Sequence, residues 1–430
     1  APALAGRVAP AGAVLEVPGY WTETAAWLED QEREQGDATA LLVPGSTFAR
    51  YLWGDPDDEP MQWLAGTRWA VRNVVPLVPP GNIRMLDGIE ARLAQGHGSP
   101  GLAASLRRAG LRYVVVRGDL ERADDAPDPV LVRQALRESP GVVQVAGFGP
   151  LLGGVALLDQ DDGGRVLAAG GWQSAYQAVE VWAVTDAEPA VAADVTALVA
   201  AGPEDLADLV DADALDDRPV VLAADVPTEL PEQLDDVPVV LTDGLRVRER
   251  SFARIHDGSS AALVEGDVRR TGNPVRDYLL DEGDRWSTTA RLVGAASLSA
   301  SSSASDADSL GSIRRGSSPW AALDGAEESA WRSGPGRAGT AWWRLDLETP
   351  VDPSTVRLVG GPDAADDQEV QVRTGAGTSN PVEVGPGESR TVPLEGGPTS
   401  YVEVRSLEAD RALSLAEVRI PGVQVRRPLV

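Results

Sequence analysis

The 430-residue chain has no cysteine, which excludes a disulfide framework and any thiolate metal site. Redox compartment therefore leaves no mark on it. Lysine is absent as well, so every strongly basic residue is arginine. A phosphate-loop lysine and Schiff-base chemistry are excluded with it. There are only two histidines. His97 sits in Gln95-Gly96-His97-Gly98 and His256 beside Asp257-Gly258, both turn-like settings without a paired nucleophile. Each is expected to be solvated or structural rather than catalytic. No Gly-x-Ser-x-Gly elbow occurs, so serine hydrolysis has no support. No apolar run approaches the roughly 18 residues that a membrane helix needs. The opening, Ala1 to Pro10, lacks the charged and hydrophobic zones of a signal peptide. Rich in Ala and Pro and without an initiator Met, it suggests a piece of a longer polypeptide.

Positive charge is also scarce: the net charge is −28 and the pI about 4.4. Such a field repels phosphate backbones, so nucleic acid is not expected as a partner. Paired acids abound, as at Asp124-Asp125, Asp216-Asp217 and Asp235-Asp236. Glycosidases need two acids facing one bond, but in so acidic a chain adjacent acids read as a solvated face. The chain by itself is expected not to be catalytic.

What is present is a globular composition with 43% hydrophobic residues, enough to pack, and a length beyond one hydrophobic core. The fold class expected is multidomain: two α/β domains followed by a β-sandwich. In the first, Val14 to Val17 reads as a strand, and Trp21, Ala25 and Leu28 fall at helical spacing up to Gln35-Gly36. Ala40 to Val43 is a buried strand, and Leu102, Leu106 and Ala109 mark one face of a helix. Tyr113 to Val116 is a strand, Val130 to Glu138 a helix and Val142 to Ala146 a strand. Gly147-Phe148-Gly149 with Leu152 and Gly153 misses a dinucleotide fingerprint by one residue and reads as a strand turn. The Asp161-Asp162-Gly163-Gly164 break bounds this domain at residues 1–165.

Residues 166–250 form a smaller α/β unit. Val179 to Val184 is a strand, Pro203-Glu204-Asp205-Leu206 opens a helix, and Glu229 to Leu234 is a short acidic helix. Val220 to Leu222 and Val239 to Leu241 read as buried strands. Residues 251–289 connect this unit to an all-β segment, 290–430. There, short strands at Trp342–Leu347, Thr355–Val359, Glu369–Arg373, Thr391–Leu394, Tyr401–Arg405 and Glu417–Ile420 alternate with Pro and Gly turns.

The last segment carries Leu323-Asp324-Gly325, Ser329 with Trp331, Trp342-Trp343-Arg344-Leu345-Asp346-Leu347, and then Leu415, Glu417 and Ile420. In their order these resemble the coagulation-factor-type discoidin (F5/8 type C) domain, a jelly-roll β-sandwich shared by a large class of carbohydrate-binding modules. The resemblance makes the Ser297 to Ser312 tract that fold's first strand. It implies a structural Ca²⁺ on Asp324, Ser329 and Glu417, whose hard oxygens suit the ion. Asp306-Ala307-Asp308 with Gly311 is a poorer calcium loop, with Leu310 where a ligand belongs. Trp331 and Trp342 match core positions of that family, and Trp343 falls in phase with Leu345 and Leu347 for burial. Trp320, in the loop Ser317-Ser318-Pro319-Trp320 after Arg314-Arg315-Gly316, is the candidate for stacking on a sugar ring. Arg314, Arg315, Arg332 and Arg337 are candidate hydroxyl donors beside it.

Three further segments matter: Pro44-Gly45-Ser46-Thr47-Phe48 with Tyr51 and Trp53; Leu241 to Arg250 with Phe252 and Arg254; and Arg276-Asp277-Tyr278-Leu279. With these, and with a lysine-free, Ala- and Gly-rich composition typical of GC-rich actinobacterial genes, the whole chain resembles the periplasmic part of mycobacterial-type arabinofuranosyltransferases of the AftD family. The resemblance implies a GT-C parent that takes a lipid-phosphate arabinose donor, with its catalytic acid on a loop between membrane helices outside these residues. It implies an extracytoplasmic location, with cell-wall arabinan and the parent's own membrane domain as partners. A structural or protein-docking module without sugar binding is the alternative. An exposed aromatic with nearby arginine would favour sugar, and a broad apolar patch a protein partner.

Overall fold

A computed structural model describes residues 16–430 apart from 48, 57, 74–78, 122–125, 154, 160–164, 170–174, 188–193, 216–218, 227–235, 243–244, 253–254, 256–257, 268–277, 279–286, 310–312, 335–338 and 410. The chain divides into two compact units. The first comprises residues 1–244 with 252–256 and 278–281, and the second holds 245–251, 257–277 and 282–430.

In the first unit, helix α1 (Gly19–Gln35) leads to β1 (Ala40–Val43), then α2 (Met61–Leu64) and β2 (Trp69–Val71). Helices α3 (Pro80–Gln95) and α4 (Pro100–Arg108) precede β3 (Tyr113–Arg117), and α5 (Pro129–Glu138) precedes β4 (Val142–Gly153). Strands β5 (Val155–Asp159) and β6 (Arg165–Ala169) pair antiparallel, and β7 (Ala175–Val184) follows. The sheet order is β2-β1-β3-β7-β4, parallel through β2, β1 and β3 and antiparallel at β7 and β4. Both faces are covered, as a parallel sheet requires. Alternation along β1 divides them: Ala40 and Leu42 join Trp21, Leu28 and Met61 in one core, while Leu41 and Val43 join Leu86, Leu102, Leu106, Val132 and Leu136 in the other. Helix ends follow local chemistry. Gly36 closes α1 in a left-handed conformation, its N–H donating to Glu32 O at 2.8 Å. Ser99 Oγ and Asp128 Oδ1 cap α4 and α5, each followed by a proline in the first turn.

Four expectations are corrected here. The boundary at residue 165 fails, because β7, which contains the expected strand Val179–Val184, lies between β3 and β4 in the first sheet. The Asp161–Gly164 break is only the connection between paired strands β5 and β6, and itself lies outside the described residues. Glu16 and Val17 are not strand, while Val14 and Leu15 lie outside the described residues. Gly147 to Gly153 is no turn. It continues β4 through bulges against β7, with Gly149 at φ 77°.

A small parallel sheet, β10-β8-β9, completes the first unit: β8 (Ala197–Ala200), β9 (Val220–Leu222) and β10 (Val239–Leu241), with α6 (Leu206–Asp211) alongside. Its centre is β8, which the sequence reading passed over. The strands expected to be buried, β9 and β10, are its edges, and Val239 is 52% exposed. Helix α6 packs on α4 so closely that a Cβ on Gly101 would lie 2.2 Å from Ala207 O. The expected helix Glu229–Leu234 lies outside the described residues.

The second unit is built on two antiparallel sheets. One has the order β11-β13-β18-β15-β16, from β11 (Ser297–Ala300), β13 (Thr340–Val351), β18 (Thr399–Ala409), β15 (Gln368–Thr374) and β16 (Val382–Val384). The other has β12 (Trp331–Arg332), β19 (Ser414–Arg419), β14 (Thr355–Gly360) and β17 (Ser389–Pro393), adjacent in that order. One core takes side chains from both sheets: Trp343, Leu345, Val372 and Val404 from the first, and Trp331, Leu358, Val392, Leu415 and Val418 from the second. The Ser-rich tract does supply the edge strand β11. Period-two alternation puts Trp343 in the core at 0% exposure and leaves Trp342 half-buried on the other face, so the expected core role of Trp342 is corrected.

Candidate functional site

The described ones among the predicted glycan residues, Trp320, Arg314, Arg315 and Arg332, lie at loops and strand ends of the sandwich. Trp320 belongs to a short 3₁₀ segment, Pro319–Ala322, packed against β12 and β19. Pro319 O accepts the indole N–H of buried Trp343 at 2.9 Å, which ties this segment to the core. Trp320 itself is half-buried, and among the described residues its ring makes no aromatic or cation–π contact.

The arginines divide. Arg332 Nη1 lies 3.0 Å and Arg314 Nη1 3.4 Å from Asp363 Oδ2, while Ser414 Oγ donates to Asp363 Oδ1 at 2.8 Å. Asp363 pays some desolvation, but the Ser414 hydroxyl and the Arg332 guanidinium hold its carboxyl below the usual range. Arg315 does not join them. Its guanidinium donates to Ser259 O at 3.0 Å and to Ser259 Oγ at 3.2 Å. Arg337 lies outside the described residues. The sequence reading missed Asp363, whose one visible sign was the turn Gly360-Gly361-Pro362-Asp363 after a strand. The close packing is specific, since a Cβ on Gly361 would meet Ser414 Oγ at 1.9 Å.

The three residues expected to hold Ca²⁺ come together in part. Asp324 Oδ2 accepts from Ser329 Oγ at 2.6 Å, and Asp324 Oδ1 from Ala326 N–H at 2.9 Å. Glu417 is 4% exposed, and among the described residues its buried Oε2 accepts no hydrogen bond. Burial pushes the Glu417 carboxyl up; Arg419 opposes this and the nearby Asp324 charge adds to it. A poorly satisfied buried carboxylate beside a second carboxylate and a hydroxyl suits a hard cation. Against it, Arg419 Nη2 stands 3.9 Å from Glu417 Oε2. Among the described residues no group of three or more His, Asp or Glu is placed to hold a metal, so backbone oxygens would have to complete the shell. Asp306 is used locally, accepting from Ser303 N–H at 2.7 Å.

The first unit holds a polar network with weaker sequence signals. Arg117, at the end of β3 and fully buried, pairs with Glu59 and donates to Pro44 O. Tyr51 OH donates to Glu59 Oε2 at 2.6 Å. Asp119, 1% exposed, accepts through Oδ2 from Tyr20 OH at 2.8 Å, Trp21 Nε1 at 2.9 Å and Trp53 Nε1 at 2.8 Å. Burial raises the Asp119 carboxyl, partly offset by these three donors. Glu90 on α3 is 1% exposed, and neither of its oxygens accepts a hydrogen bond from the described side chains or backbone. Its pKa is pushed up to about 7, chiefly by burial. Tyr278 lies under the Arg84 guanidinium, 4.9 Å from the ring centroid, and Arg84 also pairs with Glu204. His97 is exposed, whereas His256 lies outside the described residues.

These features define a protein of mixed α/β class with several sheets, whose second unit is a two-sheet sandwich with polar loops. The family model for the N-terminal GT-C domain of alpha-(1->3)-arabinofuranosyltransferases matches residues 1–276. An alpha-(1->3)-arabinofuranosyltransferase of Mycolicibacterium smegmatis is 33% identical over 97% of this chain and 30% of its own length. One from Mycobacterium tuberculosis is 34% identical over 82% of this chain and 25% of its own. A cryo-EM structure of arabinofuranosyltransferase AftD from mycobacteria superposes with a TM-score of 0.76 at 32% identity, covering all of this chain and 34% of that one. The chain belongs to the AftD family of arabinofuranosyltransferases. It spans 25–30% of the length of the curated relatives it matches. Among its described residues no helix is long and apolar enough to cross a membrane.

Proposed function

We propose that the chain is the extracytoplasmic portion of an arabinofuranosyltransferase of cell-wall arabinan synthesis, and that its second unit is a discoidin-like jelly-roll module holding glycan near a catalytic membrane domain outside these residues. The carrying observation is family membership combined with a two-sheet sandwich. Its loop segment at Pro319–Ala322, packed against β12 and β19, presents a half-buried tryptophan, and Arg332 of β12 and Arg314 meet at Asp363. Trp320 would stack on a sugar ring, and the Arg332–Asp363–Arg314 cluster would supply hydroxyl donors and an acceptor. Ca²⁺ held by Asp324, Ser329 and Glu417 would brace the loop that follows Trp320. Tethering raises the local acceptor concentration even when each contact is weak.

The second reading, a structural or protein-docking module, has one observation in its favour. Arg314 and Arg332 already share Asp363, and Arg315 is held by Ser259. Titration of the chain with arabinofuranose oligosaccharides, followed by calorimetry and NMR with and without Ca²⁺, separates the two. Saturable binding lost in Trp320→Ala supports the glycan reading. A folded protein that binds neither arabinan nor galactan fragments moves the function to scaffolding.

A further inference from the structure

The first unit carries a depression whose position in the sheet has a functional meaning of its own. Its volume is about 440 Å³, and Arg50, Tyr51, Leu52, Trp53, Asp55 and Glu121 line it, a size within the usual range of small-molecule sites. Residues 50–55 belong to the connection that leaves the carboxyl end of β1, and Glu121 to the one that leaves β3. These strands are adjacent and parallel, with Val43 opposite Val116. The β1 connection runs outward to β2, on one side of β1. The β3 connection runs through α5 toward β4, at the opposite edge. The two loops therefore diverge above neighbouring strands, which makes this the topological switch point of the sheet. Open α/β sheets form their ligand crevices at such a point, outside the carboxyl ends of the strands.

The walls are fixed before any ligand arrives. Tyr51 and Gly54 pair across a tight turn, with N···O distances of 2.9 and 3.1 Å. Leu52 N–H donates to Asp119 O at 2.8 Å and Glu121 N–H to Arg50 O at 2.9 Å, joining the two loops. Trp53 is half-buried, stacked on Tyr51 at 4.8 Å between centroids with 24° between planes. Its indole N–H is anchored on Asp119. Tyr51 is in turn held edge-on by Trp21, 5.7 Å away, and by Glu59. An aromatic locked this way loses little entropy on binding.

The rim has mixed polarity. Arg50 and Asp55 form a loose ion pair at 3.5 Å with more than a third of each side chain exposed, and Glu121 is exposed. Two carboxylates and a guanidinium around one tryptophan offer acceptors and donors to hydroxyl groups and a ring for a C–H face. The carboxylates disfavour an anionic ligand.

We propose that this switch-point depression binds a neutral oligosaccharide, as a glycan contact separate from the sandwich loops. It stacks the sugar on Trp53 and hydrogen-bonds its hydroxyls to Asp55, Glu121 and Arg50. That the sugar is arabinan rests on the family reading; the site itself does not.

The test uses the whole chain labelled with 5-fluorotryptophan and titrated with an arabinofuranose hexasaccharide, with the Trp53 and Trp320 ¹⁹F resonances assigned by Trp→Phe substitution. The expected result is a saturable shift of the Trp53 resonance that persists in Trp320→Ala. Asp55→Asn and Glu121→Gln, which alter only the exposed rim, should together weaken it tenfold or more. A Trp53 resonance that stays still while that of Trp320 moves overturns this site and leaves the sandwich reading standing. A Trp53 shift indifferent to both rim substitutions also overturns it. Movement at Trp53 alone supports this site and counts against the sandwich.

Discussion

Glu90→Gln tests the buried charge beneath the first sheet. Glu90 stands on α3 with 1% exposure, and among the described residues neither oxygen has a donor in good hydrogen-bond geometry, the Gly45 N–H being the nearby backbone dipole. Burial raises its pKa from 4.5 to about 7, against the Gly45 N–H and the Arg117 and Arg72 guanidiniums. A carboxyl raised on folding holds its proton more tightly in the native state. Its contribution to stability is therefore complete below about pH 4.5, shrinks as pH rises and is lost above about pH 7. At about 1.4 kcal/mol per pKa unit, the whole excursion amounts to about 3 kcal/mol. Glutamine keeps the shape without the titration. Every other group titrates alike in both proteins, so the difference between variant and parent isolates Glu90. We expect urea unfolding at pH 4, 5.5, 7 and 8.5 to show Glu90→Gln gaining on the parent with rising pH, by up to about 3 kcal/mol across this range. Parallel stability curves would refute the reasoning, because they would mean that the carboxyl titrates in the fold as it does in the unfolded chain.

Four further outcomes are expected. Arg117→Ala, which strands Glu59 without its buried partner, should cost about 3–5 kcal/mol by denaturant unfolding, and the double replacement Arg117→Met with Glu59→Leu clearly less, because it leaves no unpaired buried charge. Trp343→Ala should cost about 3–5 kcal/mol and destabilise the sandwich selectively, as read by hydrogen exchange across β13 and β18. Asp363→Ala should cost about 1–3 kcal/mol, chiefly because it leaves the buried Ser414 hydroxyl without its acceptor, while the solvated arginine partners add little. Should it lower saccharide affinity, the acceptor role of Asp363 is supported. If Ca²⁺ binds at Asp324, Ser329 and Glu417, adding it at about a hundredfold over Kd should stabilise the chain by roughly 2.7 kcal/mol. Glu417→Gln should abolish that gain, whereas an unchanged melting temperature in millimolar Ca²⁺ counts against the site.

Several elements were legible because their cause is local. Helix α1 ends where Gly36 supplies a left-handed residue, α4 and α5 begin at Ser99-Pro100 and Asp128-Pro129, and the short sandwich strands alternate in burial. The phase of Trp343 with Leu345 and Leu347 was enough to bury it. Helix α3 was missed, although Ile83, Leu86, Ile89 and Leu93 lie at helical spacing. The strand β8 was missed as well, its four residues Ala197–Ala200 being too short to show a period. The motif match points Trp342 to the core, but with Trp343 facing inward strand phase turns Trp342 to the opposite face.

Composition and order alone settled what chemistry was unavailable: no thiolate, no lysine, no run long enough to span a membrane. They also exposed the family through short segments such as Pro44 to Trp53. Only the tertiary structure decided where β7 belongs, because a strand's sheet is chosen by partners distant in sequence, here β3 and β4. It alone brought Arg314, Arg332 and Ser414 to Asp363, and Tyr20, Trp21 and Trp53 to Asp119, across up to 99 residues of chain. Periodicity reports which way a side chain points along its own element. Which buried charge it meets depends on how separate elements pack.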